Sequence, residues 1–200
     1  MFQESVWKQR SSQLLSVSRS VLVVVDVQER LLPSIEGRET LVRNIRFLLD
    51  AAELFHVKAV ATEQYPKGLG PTVPELAGHA GITAKFEKLR FSAAEVLDGS
   101  NLLNVTAQES GAQVVLAGIE AHICVQQTAL DLVAMGYSVF LPADATGSRH
   151  SADYEAALHR MQSLGVIITT AESIAFEWCE AAGSDQFRTL SRLVKERDKA

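Results

Sequence analysis

Residues Ser20–Asp26, reading SVLVVVD, form an unbroken and mostly β-branched apolar run that ends in an acid. A strand with no polar face must be covered on both sides, and the architecture that covers both sides is a parallel sheet between two layers of helices. The run Val114-Val115-Leu116-Ala117, opening at Gln113, has the same character. Shorter candidate strands are Val57–Thr62, Ile82–Phe86, Tyr137–Pro142 and Val166–Thr169. Helical periodicity falls between them. Glu39–Phe55 places Leu41, Val42, Ile45, Leu48, Leu49 and Ala52 on one face, and Ser100–Ser110, Ala152–Leu164 and Ser184–Lys195 complete the set. Strands and helices alternating at this spacing predict an α/β fold: a single three-layer domain, with a mostly parallel sheet of about six strands and helices on both faces. Residues 1–19 are expected as an N-terminal arm or helix, and 20–200 as the domain itself. The stretch after Thr62, with Pro66, Gly68, Gly70, Pro71 and Pro74, reads as an irregular loop.

Composition narrows the function classes. A net charge of −5 with no run of basic residues argues against nucleic acid as a partner. Runs such as Val21–Val25 are far too short to span a bilayer. The N-terminal sequence has no signal-peptide pattern, and two cysteines cannot build a disulfide framework, so a reducing cytoplasm is the expected location.

In a parallel α/β sheet, ligands bind beyond the carboxyl ends of the strands. Asp26, Glu63, Lys88 and the turn before Cys124 all fall at or just past such ends. Gly118 is expected to end the fourth strand and open a short turn, with helical spacing resuming at Val125, Leu130, Val133 and Ala134. Cys124 then stands at the first turn of a helix. Unpaired N–H groups and the positive end of the helix dipole there favour thiolate, the nucleophilic form. His122, two residues before it, is expected to point away around the turn and to serve structure or an interface. Asp144 reads as a turn or cap acid, and Cys179, Phe176, Trp178 and Phe187 as packing residues.

Three segments together resemble the isochorismatase-like cysteine hydrolases: Val23-Val24-Val25-Asp26-Val27-Gln28, Lys88-Leu89-Arg90-Phe91-Ser92 and Gly118-Ile119-Glu120-Ala121-His122-Ile123-Cys124-Val125. The resemblance runs from about Ser20 to Phe187. It implies a catalytic set of Asp26, Lys88 and Cys124, with Lys85 as runner-up for the lysine. Cys124 would attack a carbonyl carbon and form a thioester, Asp26 would carry the proton, and Lys88 would stabilise the negative charges. It also implies a cis peptide at Ile119-Glu120 and an oxyanion hole from the Ala121 and Cys124 N–H groups. Gln28, Glu63, Tyr65 and Phe91 are the expected substrate contacts.

The nicotinamidase branch of that family holds a metal through an Asp-x-His motif and a further His. Here the matching region, Thr62-Glu63-Gln64-Tyr65-Pro66-Lys67-Gly68-Leu69-Gly70-Pro71, contains no histidine, so neither a metal nor an organic cofactor is expected. The loop resembles a metal-independent subgroup without an assigned substrate. A thiol at position 124 favours amide, carbamoyl or ester cleavage over non-covalent vinyl-ether hydrolysis, which stands as the alternative beside a non-catalytic, redox-sensing or interaction role. The family usually associates, so a homo-oligomer is expected.

Overall fold

The computed structural model describes residues 10–103 and 111–199. The elements run β1 (Ser20–Val25), α1 (Arg38–Leu54), β2 (Lys58–Gln64), α2 (Pro66–Leu69), α3 (Pro74–Ala77), β3 (Ile82–Lys88), α4 (Ala94–Gly99) and β4 (Gln113–Ile119). They continue through α5 (Gln126–Ala134), β5 (Ser138–Pro142), β6 (Thr146–Gly147), α6 (Ser151–Ser163), β7 (Ile167–Thr169), α7 (Ala171–Cys179) and α8 (Asp185–Arg197). The chain is a single α/β domain around a sheet of seven strands in the order β3-β2-β1-β4-β5-β7, with the short β6 paired to β4. Every strand pair is parallel.

The central run explains the layers. Residues Val21 to Val25 are fully buried, each side chain contributing about 1.5–3 kcal/mol by leaving water. Their alternation divides them between two cores. Leu22 and Val24 pack with Ile45 and Leu48 of α1, Ile174 and Trp178 of α7 and Leu190 of α8. Val21, Val23 and Val25 pack with Leu97 of α4, Leu132 of α5 and Met161 of α6.

Several boundaries differ from the sequence expectation. The sheet gains a seventh strand, because Thr146 and Gly147 pair with Gly118 and Ile119. Gly118 does not end β4; the strand runs through it to Ile119 with φ of 123°. A Cβ at Gly118 would lie 2.1 Å from the Val25 carbonyl oxygen, so glycine here permits the close approach of β4 to β1. β2 and β3 each extend two residues further than expected, and this brings Gln64 and Lys88 into the sheet. The helix expected at Ser100–Ser110 is not formed over 100–103; α4 lies earlier, and 104–110 fall outside the described residues. The loop after β2 contains two single-turn helices, each opened by a proline. Helix α7 was not expected, although the Thr170 hydroxyl caps it by accepting from the Ser173 N–H. Among the described residues, no helix is long and apolar enough to cross a membrane.

Candidate active site

The sheet order places β1 between β2 and β4, with β3 beyond β2. The carboxyl ends of β1, β3 and β4 therefore converge on one rim. Asp26 follows the last residue of β1 and takes a left-handed φ of 51°. It is fully buried. Its Oδ1 accepts from the Thr62 hydroxyl at 2.7 Å, and its Oδ2 pairs with Lys88 Nζ at 2.6 Å. A buried carboxylate needs this, since an unpaired charge would be costly there.

Lys88, the last residue of β3, is buried as well. Besides Asp26, its ammonium donates to Gln64 Oε1 at 2.8 Å, the Phe91 carbonyl at 2.9 Å and the Arg90 carbonyl at 3.3 Å. Lys85 lies elsewhere: its ammonium is half-exposed and faces Glu63 at 4.0 Å.

Cys124 occupies a π-helical turn, Ala121–Val125, that leads into α5. The peptide between Ile119 and Glu120 is cis. The Thr128 hydroxyl donates to the Cys124 carbonyl at 2.7 Å and accepts from the Ala93 N–H at 2.9 Å, which ties the turn to the loop holding Lys88. Cys124 is only 5% exposed, and the charges of both Asp26 and Lys88 act on its sulfur. Burial, reinforced by the Asp26 charge, pushes the thiol up to about 12 against the partial opposition of Lys88. This reverses the expectation from the helix terminus. Desolvation disfavours the charged form more than the dipole and the ammonium favour it, so the resting group is a thiol.

The flanks of the turn are fastened to the segment after β6. Glu120 Oε2 accepts from Arg149 through the backbone N–H at 3.0 Å and Nε at 3.1 Å. His122 Nδ1 lies 3.0 Å from the Ser148 hydroxyl, and its Nε2 lies 3.9 Å from Asp153. His122 is thus engaged away from the sulfur.

The four expected substrate contacts divide. Gln28 spends its amide internally: Oε1 accepts from the Gln64 N–H at 2.8 Å, while Nε2 donates to the carbonyls of Gln64 at 3.0 Å and Gly70 at 2.6 Å. Glu63 Oε1 accepts from the N–H of Thr72 at 2.8 Å and its hydroxyl at 2.7 Å, closing the loop. The Tyr65 ring lies over Gly68, where a Cβ would come within 2.3 Å of it. Phe91 stands half-exposed beside its own Lys88-binding carbonyl, and Leu89 is more exposed still. Gln64, read from the sequence with Glu63 and Tyr65 as a strand-end residue that contacts substrate or closes the loop, instead accepts from the Lys88 ammonium. Its only signal in the sequence was its position two residues past the expected end of β2. Among the described residues, no group of three or more His, Cys, Asp or Glu is placed to hold a metal ion.

A parallel α/β sheet carrying a carboxylate–ammonium pair and a thiol on its carboxyl rim defines a class that comparison with known proteins makes specific. The isochorismatase domain matches residues 20–173, and the chain belongs to the isochorismatase-like hydrolase family. It is similar to isochorismatase domain-containing protein 2 of Danio rerio, 37% identical over 180 residues that make up 90% of this chain and 89% of that one. It is equally similar, 37% over 181 residues and 90% of this chain, to isochorismatase domain-containing protein 1 of the same organism, of whose length the match spans only 62%. Among solved structures, the MAR1 ribonuclease of Caenorhabditis elegans superposes with a TM-score of 0.83 at 32% identity, covering 91% of this chain and 92% of that one. The YcaC product of Escherichia coli, described as an octameric hydrolase of unknown specificity, shares the fold with a TM-score of 0.82 at 23% identity, over 96% of each chain.

Proposed function

We propose that this chain is a small-molecule hydrolase that cleaves an amide, carbamoyl or related C–N bond through a thioester on Cys124. The observation that carries this reading is the buried Lys88–Asp26 pair, 2.6 Å apart, whose charges both act on the buried Cys124 sulfur. Asp26 accepts the thiol proton as the sulfur attacks the carbonyl carbon. The tetrahedral oxyanion is held by the N–H groups of Ala121 and Cys124. Asp26 then passes the proton to the departing nitrogen, the C–N bond breaks and a thioester remains. Water, deprotonated by Asp26, releases the acid and restores the thiol. Lys88 stays charged throughout and offsets whichever neighbour is negative. Because the resting sulfur is protonated, proton transfer to Asp26 belongs to the catalytic step itself.

Phe91, exposed at the rim, supplies an apolar contact for the substrate. Metal and cofactor have no part in these steps. The octameric description of the E. coli relative supports a homo-oligomer. The name of the C. elegans relative raises RNA as a substrate, but the acidic chain and buried reactive groups favour a small molecule. A redox-sensing role fits less well, since sensor thiols are accessible and low in pKa.

The test is a panel of small primary amides, carbamoyl compounds and a short RNA, with wild type and Cys124→Ala. The expected result is turnover of an amide or carbamoyl compound, lost in Cys124→Ala, with an acyl adduct on Cys124 by mass spectrometry. Turnover that survives Cys124→Ala without any adduct would replace the thioester by non-covalent chemistry.

A further inference from the structure

We propose that Gln64 is a positioning residue that governs how Lys88 faces Cys124, by taking an ammonium N–H that would otherwise be offered to the sulfur. This rests on the thioester reading above.

A lysine ammonium has three N–H groups. Lys88 has four acceptors around it: Asp26 Oδ2 at 2.6 Å, Gln64 Oε1 at 2.8 Å, the Phe91 carbonyl at 2.9 Å and the Arg90 carbonyl at 3.3 Å. Three short bonds use every proton, with the longest contact sharing one. Lys88 therefore supports a thiolate through its charge while its hydrogen bonds are directed elsewhere. Of the three close acceptors, Asp26 is the proton carrier and Phe91 contributes only backbone. Gln64 is the neutral side chain in the set, and its orientation is determined, because Nε2 donates to the Leu89 carbonyl at 2.7 Å. A flipped amide would set a donor against the ammonium and an acceptor against a carbonyl.

The backbone of Gln64 is held equally firmly. Both its N–H and its carbonyl bond to the Gln28 amide, which also reaches Gly70. Two residues outside the catalytic set thus form a chain, Gln28 to Gln64 to Lys88, that fixes the ammonium from behind. The charged groups facing Cys124 are Asp26 from the end of β1 and Lys88 from the end of β3. On its own turn, Glu120 is bonded to Arg149, and His122 lies against Ser148 and Asp153. On the loop after β3, Arg90 pairs with Glu95 at the surface. Gln64 therefore acts on the sulfur through Lys88.

The experiment measures the rate at which iodoacetamide labels Cys124 at pH 8, with Cys179 as internal reference and mass spectrometry to separate them. It needs no substrate. Gln64→Met removes the acceptor at similar volume, frees an N–H for the sulfur and should speed labelling. Gln64→Glu places a negative charge beside the Lys88 ammonium, offsets its support of a thiolate and should slow labelling. Each unit of thiol pKa changes the thiolate about tenfold and its nucleophilicity about threefold the other way, so a net change of about threefold per unit is expected. A purely structural role would move both variants in the same direction. In Gln64→Met/Lys88→Met the gain should vanish, because it flows through Lys88. Thermal unfolding of each variant establishes that the chain is folded. Same-sign shifts, unchanged rates or a gain that persists without Lys88 would overturn the proposal. Failure of the hydrolase reading would show separately, as turnover retained by Cys124→Ala.

Discussion

Asp26→Asn removes a negative charge from beside the Cys124 sulfur while keeping the shape of the side chain. In the wild-type site the thiol is raised from its ordinary 9.0 to about 12; burial is the largest cause, and the charge and hydrogen bond of Asp26 add to it. At pH 8 a group titrating at about 12 is thiolate in roughly one molecule in 10⁴, against roughly one in ten at the ordinary value. The ceiling on the gain is therefore ~10³ in thiolate. A less basic sulfur is also a weaker nucleophile, which reduces that ceiling to roughly 30-fold in rate. Burial persists in the variant, so labelling by iodoacetamide should accelerate between about 3-fold and 30-fold. Lys88 keeps its bonds to Gln64, Arg90 and Phe91 and gains the thiolate as a counter-ion. Turnover should move the other way, falling by about 10²–10⁴ as the proton carrier is lost. The assay is labelling followed by mass spectrometry, with Cys179 as reference, beside turnover of a substrate found in the panel. Labelling that slows or stays constant in Asp26→Asn would refute the account of what holds the thiol protonated.

Gly118→Ala forces a Cβ to within 2.1 Å of the Val25 carbonyl oxygen at a φ of 123°. Since backbone and not a flexible side chain stands in the way, a loss of about 3 kcal/mol or more is expected in urea unfolding, and an unchanged midpoint would contradict the close approach. The thiol gives stability a pH signature. Its folded value of about 12 lies above the ordinary 9.0, so the folded state keeps a proton that the unfolded state sheds first. The contribution is complete below pH 9 and declines as pH rises toward 12, at most about 1.4 kcal/mol per pH unit. Between pH 8 and 10.5, wild type should therefore lose about 2 kcal/mol more than Cys124→Ala, and equal losses would count against a raised thiol.

The sequence by itself determined the class of fold. A run such as Val21–Val25 has no polar face, so it demands cover on both sides whatever else the chain does, and the observed parallel sheet supplies that cover. Periodicity likewise carried α1, α6 and α8 to within a few residues. That Asp26, Lys88 and Cys124 fall at or just past strand ends was legible from the order of elements, and their grouping came from the resemblance of three segments to a known family. What they do to one another was not legible. Which groups share a buried space is a non-local property, and ionisation depends on that space. The helix terminus read from local sequence predicts a thiolate, while desolvation by residues distant in the chain leaves a thiol. Partner choice is non-local for the same reason. Gln28 and Glu63 read as pocket residues, yet one clamps Gln64 and the other Thr72. Gly118, which reads as a strand breaker, lies inside β4 because β1 approaches too closely for any side chain. Local pattern chose the elements, and only tertiary packing decided the protonation and the partners of the groups at their ends.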